Sequence, residues 1–341
     1  MIRYFNSSIW VTVIGLALAA FVGWEYQHST QGALEALFLA FVLSILEVSI
    51  SFDNAVVNAT VLKKMTPLWQ HRFITWGMLI AVFGMRLVFP LIVVSVATSI
   101  SPWEALKLAA LSPDEYSKTM LTAHVPVSAF GGAFLMMVAL KYFFDTSKEV
   151  HWIRLIERPL SKLGKMESIE IALVTLGLAL MARWIPEHEK MSFLLAGLFG
   201  VITYIGVDGI GAFLSLSEDA EQNVHRASAM MFLYLEVLDA SFSFDGVIGS
   251  FAISNNLFII AIGLGIGAMF VRSLTILFVE KDTLTEFRYL EHGAFYAILA
   301  LAVIMFLNTV VPIPEVVTGI IGAAFIGLSL YSSLQERTST T

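Results

Sequence analysis

LEVSISFDNAVV, residues 46–57, sets two acids, Glu47 and Asp53, inside a long apolar stretch. A charge at the centre of a bilayer costs about 2.5–3.5 kcal/mol on insertion scales, so such residues pair with something or line a polar cavity. A partner stands 192 positions later, in LDASFSFDGVIG (238–249). Aligning 45–59 with 237–251 brings Leu46, Ser49, Ser51, Phe52 and Asp53 onto Leu238, Ser241, Ser243, Phe244 and Asp245, and Glu47 onto Asp239. Serine and aspartate are rare in spans, so these matches carry more weight than apolar ones. Each motif precedes a span with one arginine, Arg86 and then Arg272, followed by GGAFLMMVAL (131–140) and HGAFYAILAL (292–301).

The composition bounds the class. Of 341 residues, 57% are hydrophobic and 14% charged, with a mean hydropathy of +0.80. A soluble chain of this length could not hide that much apolar surface. The expected fold is all-α, a polytopic transmembrane helical bundle. There is no cysteine, which excludes a disulfide framework and a thiolate metal site. The net charge of -7 argues against a nucleic-acid partner. No G-x4-G-K-[ST] stretch occurs, so ATP on this chain is not the expected driving force. Residues 1–24 resemble a secretory signal, with Ala17-Leu18-Ala19 as a cleavage site, but read better as a retained first span.

Ten apolar spans are expected, near 8–24, 33–61, 72–97, 119–144, 168–185, 191–214, 227–253, 256–279, 291–310 and 315–334. The second, third and seventh exceed the roughly 20 residues a straight crossing needs, which predicts tilt or a break. The connection 98–118 reads as a short interfacial helix. With an inward N-terminus, 14 lysines and arginines fall on cytoplasmic segments and 4 on external ones, which predicts both termini in the cytoplasm. The loop 145–167 is the most basic of these segments. The repeat divides the chain into halves, 1–165 and 166–341, of five spans each. Two odd-numbered halves must face opposite ways, which is the inverted-topology repeat of many secondary transporters, with a site at the midplane. The match rests on spans two to four and seven to nine; the first and sixth show no resemblance.

On a straight helix, acids six apart are about 120° apart around the axis. A local unwinding at 48–54 and 240–246 would bring them together, with Ser49, Ser51, Ser241 and Ser243 bonding freed backbone groups. As neutral glue between helices these serines also have an ordinary explanation. Six intramembrane acids (Glu47, Asp53, Asp208, Glu236, Asp239 and Asp245) face two basic residues, Arg86 and Arg272. Protons or a divalent cation must balance the rest. Carboxylate, amide, hydroxyl and carbonyl oxygens suit Mg²⁺, Ca²⁺ or Mn²⁺. The arginines read as counter-charges, and Asp208 as either a ligand or the partner of a helix break.

The two signatures resemble those of the TerC family of integral membrane proteins, the first with E-x5-D-N and the second, LEVLDASFSFDGVIGSFAIS (235–254), with E-x2-D-x5-D. Residues 255–278 and 287–298 resemble the segments that follow the second signature. The resemblance implies metal homeostasis and manganese export. Carried over by position, it implicates Glu47, Asp53, Asn54, Glu236, Asp239 and Asp245 in holding the metal. The expected function is therefore a secondary transporter in the bacterial inner membrane exporting a divalent cation, Mn²⁺ before Ca²⁺ or Mg²⁺, with protons as counter-ion. No permanently bound cofactor and no enzymatic activity are expected. Three alternatives remain: an amino-acid or organic-solute exporter, which needs a larger cavity; a non-transporting assembly or stress-resistance factor; and an aspartyl intramembrane hydrolase, whose G-x-G-D pattern is missing.

Overall fold

The computed structural model describes the backbone of residues 2–77, 79–214, 220–281 and 283–340, and their side chains except at 2, 97, 210–214, 220–224, 226, 244, 245, 285 and 338–340. The described residues form helices and turns, with no strand among them. In order they are α1 (Ile2–Gln27), α2 (Thr30–Ile50), α3 (Phe52–Leu62), α4 (Pro67–Arg72), two π-helical segments (Phe73–Gly77 and Ile80–Val88) and α5 (Phe89–Thr98). Next come α6 (Pro102–Leu111), α7 (Pro113–Thr122), α8 (His124–Phe144), α9 (Arg154–Leu163), α10 (Ile169–Met181) and α11 (Glu187–Leu214). The last are α12 (Ala220–Ser250), α13 (Leu257–Glu280), α14 (Thr283–Glu286), α15 (Leu290–Asn308) and α16 (Glu315–Thr340).

Among the described residues, eight stretches are long and apolar enough to cross a membrane: Arg3–Gln27, Thr30–Ile50, Pro67–Val96, His124–Phe144, Glu187–Gly209, Leu257–Glu280, Leu290–Asn308 and Glu315–Arg337. The protein is an integral membrane protein with the fold of an all-α polytopic bundle. Two of the ten expected spans differ from these eight. Helix α10 has 13 residues, about 20 Å of helix, which is short for a hydrocarbon core of about 30 Å. Helix α12, at 31 residues, is long enough to cross. The 98–118 connection holds two short helices, α6 and α7, rather than one.

Side-chain size decides how closely the helices approach. The buried face of α2 is Gly32, Ala36, Ala40, Leu43, Ser44 and Glu47, a helical stripe of mostly small residues that ends in an acid. Gly23 of α1 lies against Gly32, Gly263 of α13 against Ala40 and Leu43, and Gly267 against the stem of Glu47. Helix α1 is held in the same block, with Ser8 donating to the Met269 carbonyl (2.7 Å) and bonded to Ser273 (2.8 Å). Large apolar side chains such as Trp10, Ile14, Phe21, Phe38 and Phe41 face outward, as lipid-facing residues do.

The packing partners of the six spans that match between halves exchange between those halves. Helices α2 and α3 pack on α13, and α12 packs on the 67–88 segments; α3 packs on α15, and α12 on α8; α8 and α15 pack on each other. The outer helices do not follow this exchange, for α1 packs on α2 and α13 whereas α11 packs chiefly on α8. These are the spans whose sequences show no resemblance.

Beyond α8 the basic segment 145–167 folds back as a strap. Glu157 of α9, 1% exposed, accepts from the backbone N–H of Ile153 (3.1 Å) and Trp152 (3.3 Å). It also faces His292 of α15 (3.4 Å), His151 (3.5 Å) and Lys148 (3.5 Å). Burial opposes its ionisation, but the His292 hydrogen bond and charge, the Ile153 N–H and Lys148 outweigh it and hold the carboxyl at about 2. His292 donates from Nε2 to the Val150 carbonyl (2.9 Å), and its Nδ1 bonds the Tyr142 hydroxyl of α8 (2.9 Å). The Tyr142 ring stacks on Phe295 with 3.7 Å between centroids.

Candidate functional site

The first motif helix breaks at Ser51, the residue between α2 and α3. Its φ and ψ of -95° and 17° leave the helical region, although its N–H still donates to the Glu47 carbonyl (2.9 Å). The Ser51 hydroxyl donates to Glu47 Oε1 (3.1 Å). The result is a one-residue kink that turns the Asn54 and Asn58 face toward α12, and not the longer unwinding expected over 48–54. The second motif helix corrects the expectation for 240–246, because α12 runs unbroken from 220 to 250. Its hydroxyls bond their own helix: Ser241 donates to the Val237 carbonyl (2.9 Å) and Ser250 to the Gly246 carbonyl (2.6 Å). Such back-bonding leaves the ladder closed.

Between these helices lies a cavity of about 40 Å³. Its walls include Glu47, Ser51, Asn54 and Asn58 of the first motif, Asp239 and Ser243 of the second, and both arginines, Arg86 and Arg272. The π-helical segments supply the wall that presents Arg86. Its Nη1 donates to the Ala81 carbonyl five residues back (2.5 Å), and Nη2 forms a buried ion pair with Glu47. Widened turns of this kind often sit at functional sites, where they re-aim a side chain. Opposite, the Asn58 amide donates to Asp239 Oδ1 (3.0 Å), which joins the two motifs directly. Gly246 of the second motif faces Glu47 Oε2.

Formally, two carboxylates and two guanidiniums line the cavity. Three neutral oxygens on its lining residues, Asn54 Oδ1, Asn58 Oδ1 and Ser243 Oγ, are buried without a hydrogen-bond partner among the described residues, as is Arg272 Nε. Buried polar atoms are rarely left so. Among the described residues no three histidine, aspartate or glutamate side chains gather to hold a metal ion. The donor set therefore combines two carboxylates with amide and hydroxyl oxygens.

The remaining expected residues scatter. Asp53, 5% exposed, lies outside the cavity wall and accepts from the Asn54 N–H (3.0 Å) as part of the first turn of α3. Glu236 is buried against Gly77 of the first π-helical segment, and neither of its carboxylate oxygens has a hydrogen-bond partner among the described residues. The Asp245 side chain lies outside the described residues. Ser49 is exposed and bonds the Ile45 carbonyl of its own helix (2.8 Å). Asp208 lines a separate, open cavity of about 500 Å³ with Lys64, Lys141, Asp145 and Glu291. The glycines Gly77 and Gly267, against which Glu236 and Glu47 rest, went unmarked in the sequence. The small-residue spacing in GLGIG (263–267) is the signal that points to the second.

No curated protein and no solved structure matches the chain. One family model does, described as "Protein of unknown function (DUF475)", over residues 52–340. That match covers both π-helical segments, Arg86, the whole second motif and Arg272, and by its extent the chain belongs to the DUF475 family.

Proposed function

We propose that this protein is a secondary transporter that moves a hard divalent cation, Mn²⁺ first among candidates, through the cavity between the two motif helices. The observation that carries the proposal is the donor set: Glu47 and Asp239, one from each motif, with the unpartnered oxygens of Asn54, Asn58 and Ser243 around about 40 Å³. Oxygen ligands of this mixture suit Mn²⁺, Mg²⁺ or Ca²⁺. A water needs about 10–15 Å³ of such space, so the cavity suits a largely dehydrated ion with one or two waters. An amino acid would not fit without a large opening, which favours the cation over an organic solute. The resemblance of both signatures to TerC supports the same choice.

In this proposal the halves 1–165 and 166–341 are inverted repeats, both termini are cytoplasmic, and the membrane is the bacterial inner membrane. Arg86 holds the place of the cation beside Glu47 and swings away, or is outcompeted, when the ion enters. Asp53, Glu236 and Asp245 serve the path to and from the cavity, and protons are the counter-ion. Purified protein in liposomes with an internal Mn²⁺-quenched dye provides the test. Mn²⁺-dependent quenching that Asp239→Asn removes is expected; an equal rate in protein-free liposomes sinks the proposal.

A further inference from the structure

A third cavity, of about 620 Å³, opens where the 251–256 and 308–315 turns meet, lined among others by His124, Phe251, Asn308 and Glu315. It is separated from the central cavity by a void of only about 10 Å³, whose walls are Ile50, Ser51, Phe242, Gly246, Leu301, Glu315 and Thr318. Two residues bridge the three spaces. Glu315 lines both the large cavity and the void; Ser51 lines both the void and the central cavity, and its hydroxyl touches Glu47. The Glu315 carboxyl rests against the bare backbone of Gly249, where any Cβ would overlap it. Gly249 is one turn beyond Gly246, which faces Glu47. Thr318 lies one turn along α16 from Glu315, so both face the void from one side of the helix.

We infer that Glu315 is a second cation-binding position, outside both motifs, through which the ion passes between the central cavity and the 620 Å³ vestibule. The inference rests on the proposed cation transport. Its ligands are the Glu315 carboxylate and the hydroxyls of Thr318 and Ser51, an all-oxygen set of the same hard class as the central one. A void of about 10 Å³ is at the lower limit for one water, so in this conformation the passage is shut. Opening it requires α16 to separate from the kink at Ser51 or from Gly246. The glycines at 246 and 249 then have a common purpose. They put no side chain of α12 against Glu47 Oε2 at 246 or against the Glu315 carboxyl at 249.

The experiment compares wild type, Glu315→Gln and Glu47→Gln in two measurements, equilibrium Mn²⁺ binding by electron paramagnetic resonance and Mn²⁺ flux into dye-loaded liposomes. Glu315→Gln is expected to keep central-site affinity within about twofold and to slow flux at least tenfold, whereas Glu47→Gln loses both. Flux within twofold of wild type in Glu315→Gln overturns the inference and leaves the transport proposal standing. Loss of binding equal to that of Glu47→Gln also overturns it, by assigning Glu315 to the central site. Absence of flux in wild type overturns both. If Glu315→Gln does not fold, Thr318→Val, nearly isosteric, is expected to slow flux several-fold with binding unchanged, and unchanged flux there counts against the inference.

Discussion

The two motif helices share a sequence pattern and meet at one cavity, yet they are held differently. In the first, Glu47 is paired by Arg86, touched by the Ser51 hydroxyl and packed against Gly267 at a kink. In the second, Asp239 takes a neutral amide from Asn58 on an unbroken helix, and neither Glu236 nor Arg272 Nε has a hydrogen-bond partner among the described residues. A duplicated pattern thus specifies which residue types reach the centre, while the neighbours fix how tightly each is bound. Both sides keep unmet hydrogen-bonding capacity among the described residues, Asn54 Oδ1, Asn58 Oδ1 and Arg86 Nε on the first and Glu236, Ser243 Oγ and Arg272 Nε on the second. What differs is the acid at the cavity: Glu47 is clamped by an ion pair, whereas Asp239 is held by a neutral amide, so in the proposed transport an incoming ion displaces less at Asp239.

Removing one charge from each motif tests this contrast most severely. Glu47→Gln leaves Arg86 buried without its counter-charge, a loss of about 3–5 kcal/mol, and a large fall in the thermal midpoint of the purified protein is expected. Asp239→Asn keeps an acceptor for Asn58, so its stability is expected to fall by no more than about 1.5 kcal/mol, while the proposed transport is expected to be lost. Equal destabilisation by the two would break the comparison.

The strap gives the next effect, and it depends on pH. The Glu157 carboxyl is held at about 2, below its ordinary 4.5. Its stabilisation is therefore complete above about pH 4.5 and is lost as pH falls toward 2. Glu157→Gln is expected to destabilise the protein at pH 7 and to differ less from wild type at pH 3, as read by thermal unfolding at both values. A difference that grows on acidification contradicts the assignment.

Packing separates the two sides of Glu47. Gly267→Ala drives a methyl into the Glu47 stem, whereas at Gly246 a Cβ would meet Glu47 Oε2 at an ordinary 3.6 Å. The first is expected to cost about 1–3 kcal/mol and the second much less, measured as a difference in thermal midpoint. The serines separate the two helices as well. Ser51→Ala loses a bond to a charged acceptor, about 1.5–3 kcal/mol, and Ser241→Ala only a back-bond, the smallest effect, within about 0.5 kcal/mol. Reversal of that order contradicts the assignment of the kink's hydrogen bond to Ser51.

The class and the meeting of the motifs were legible because acids in apolar stretches have few explanations. The duplication pointed to Glu47, Asp239, Arg86 and Arg272 together, and all four line one cavity. What stayed hidden depends on neighbours distant in sequence. Ser51 and Ser243 occupy matched positions, yet only Ser51 sits at a kink. Asp53 reads as a ligand by its place in the motif, but the kink directs it into the first turn of α3, away from the cavity wall. The π-helical segments have no sequence mark of their own, and without them the direction of Arg86 is not evident.

The strap over Glu157 has a mechanical consequence. It grips α15 through His292 and α8 through Lys148, which lies 3.6 Å over the Tyr142 ring, and Tyr142 in turn bonds His292 and stacks on Phe295. Sliding α8 past α15 by one helical turn, 5.4 Å, would pull His292 or Lys148 off a carboxylate with no access to water, at about 3–5 kcal/mol. The two helices are thus riveted at one end and move as a single strut. Any rocking of the bundle must hinge elsewhere, between that strut and the α1–α2–α13 block, with the kink at Ser51 as the joint nearest the cavity.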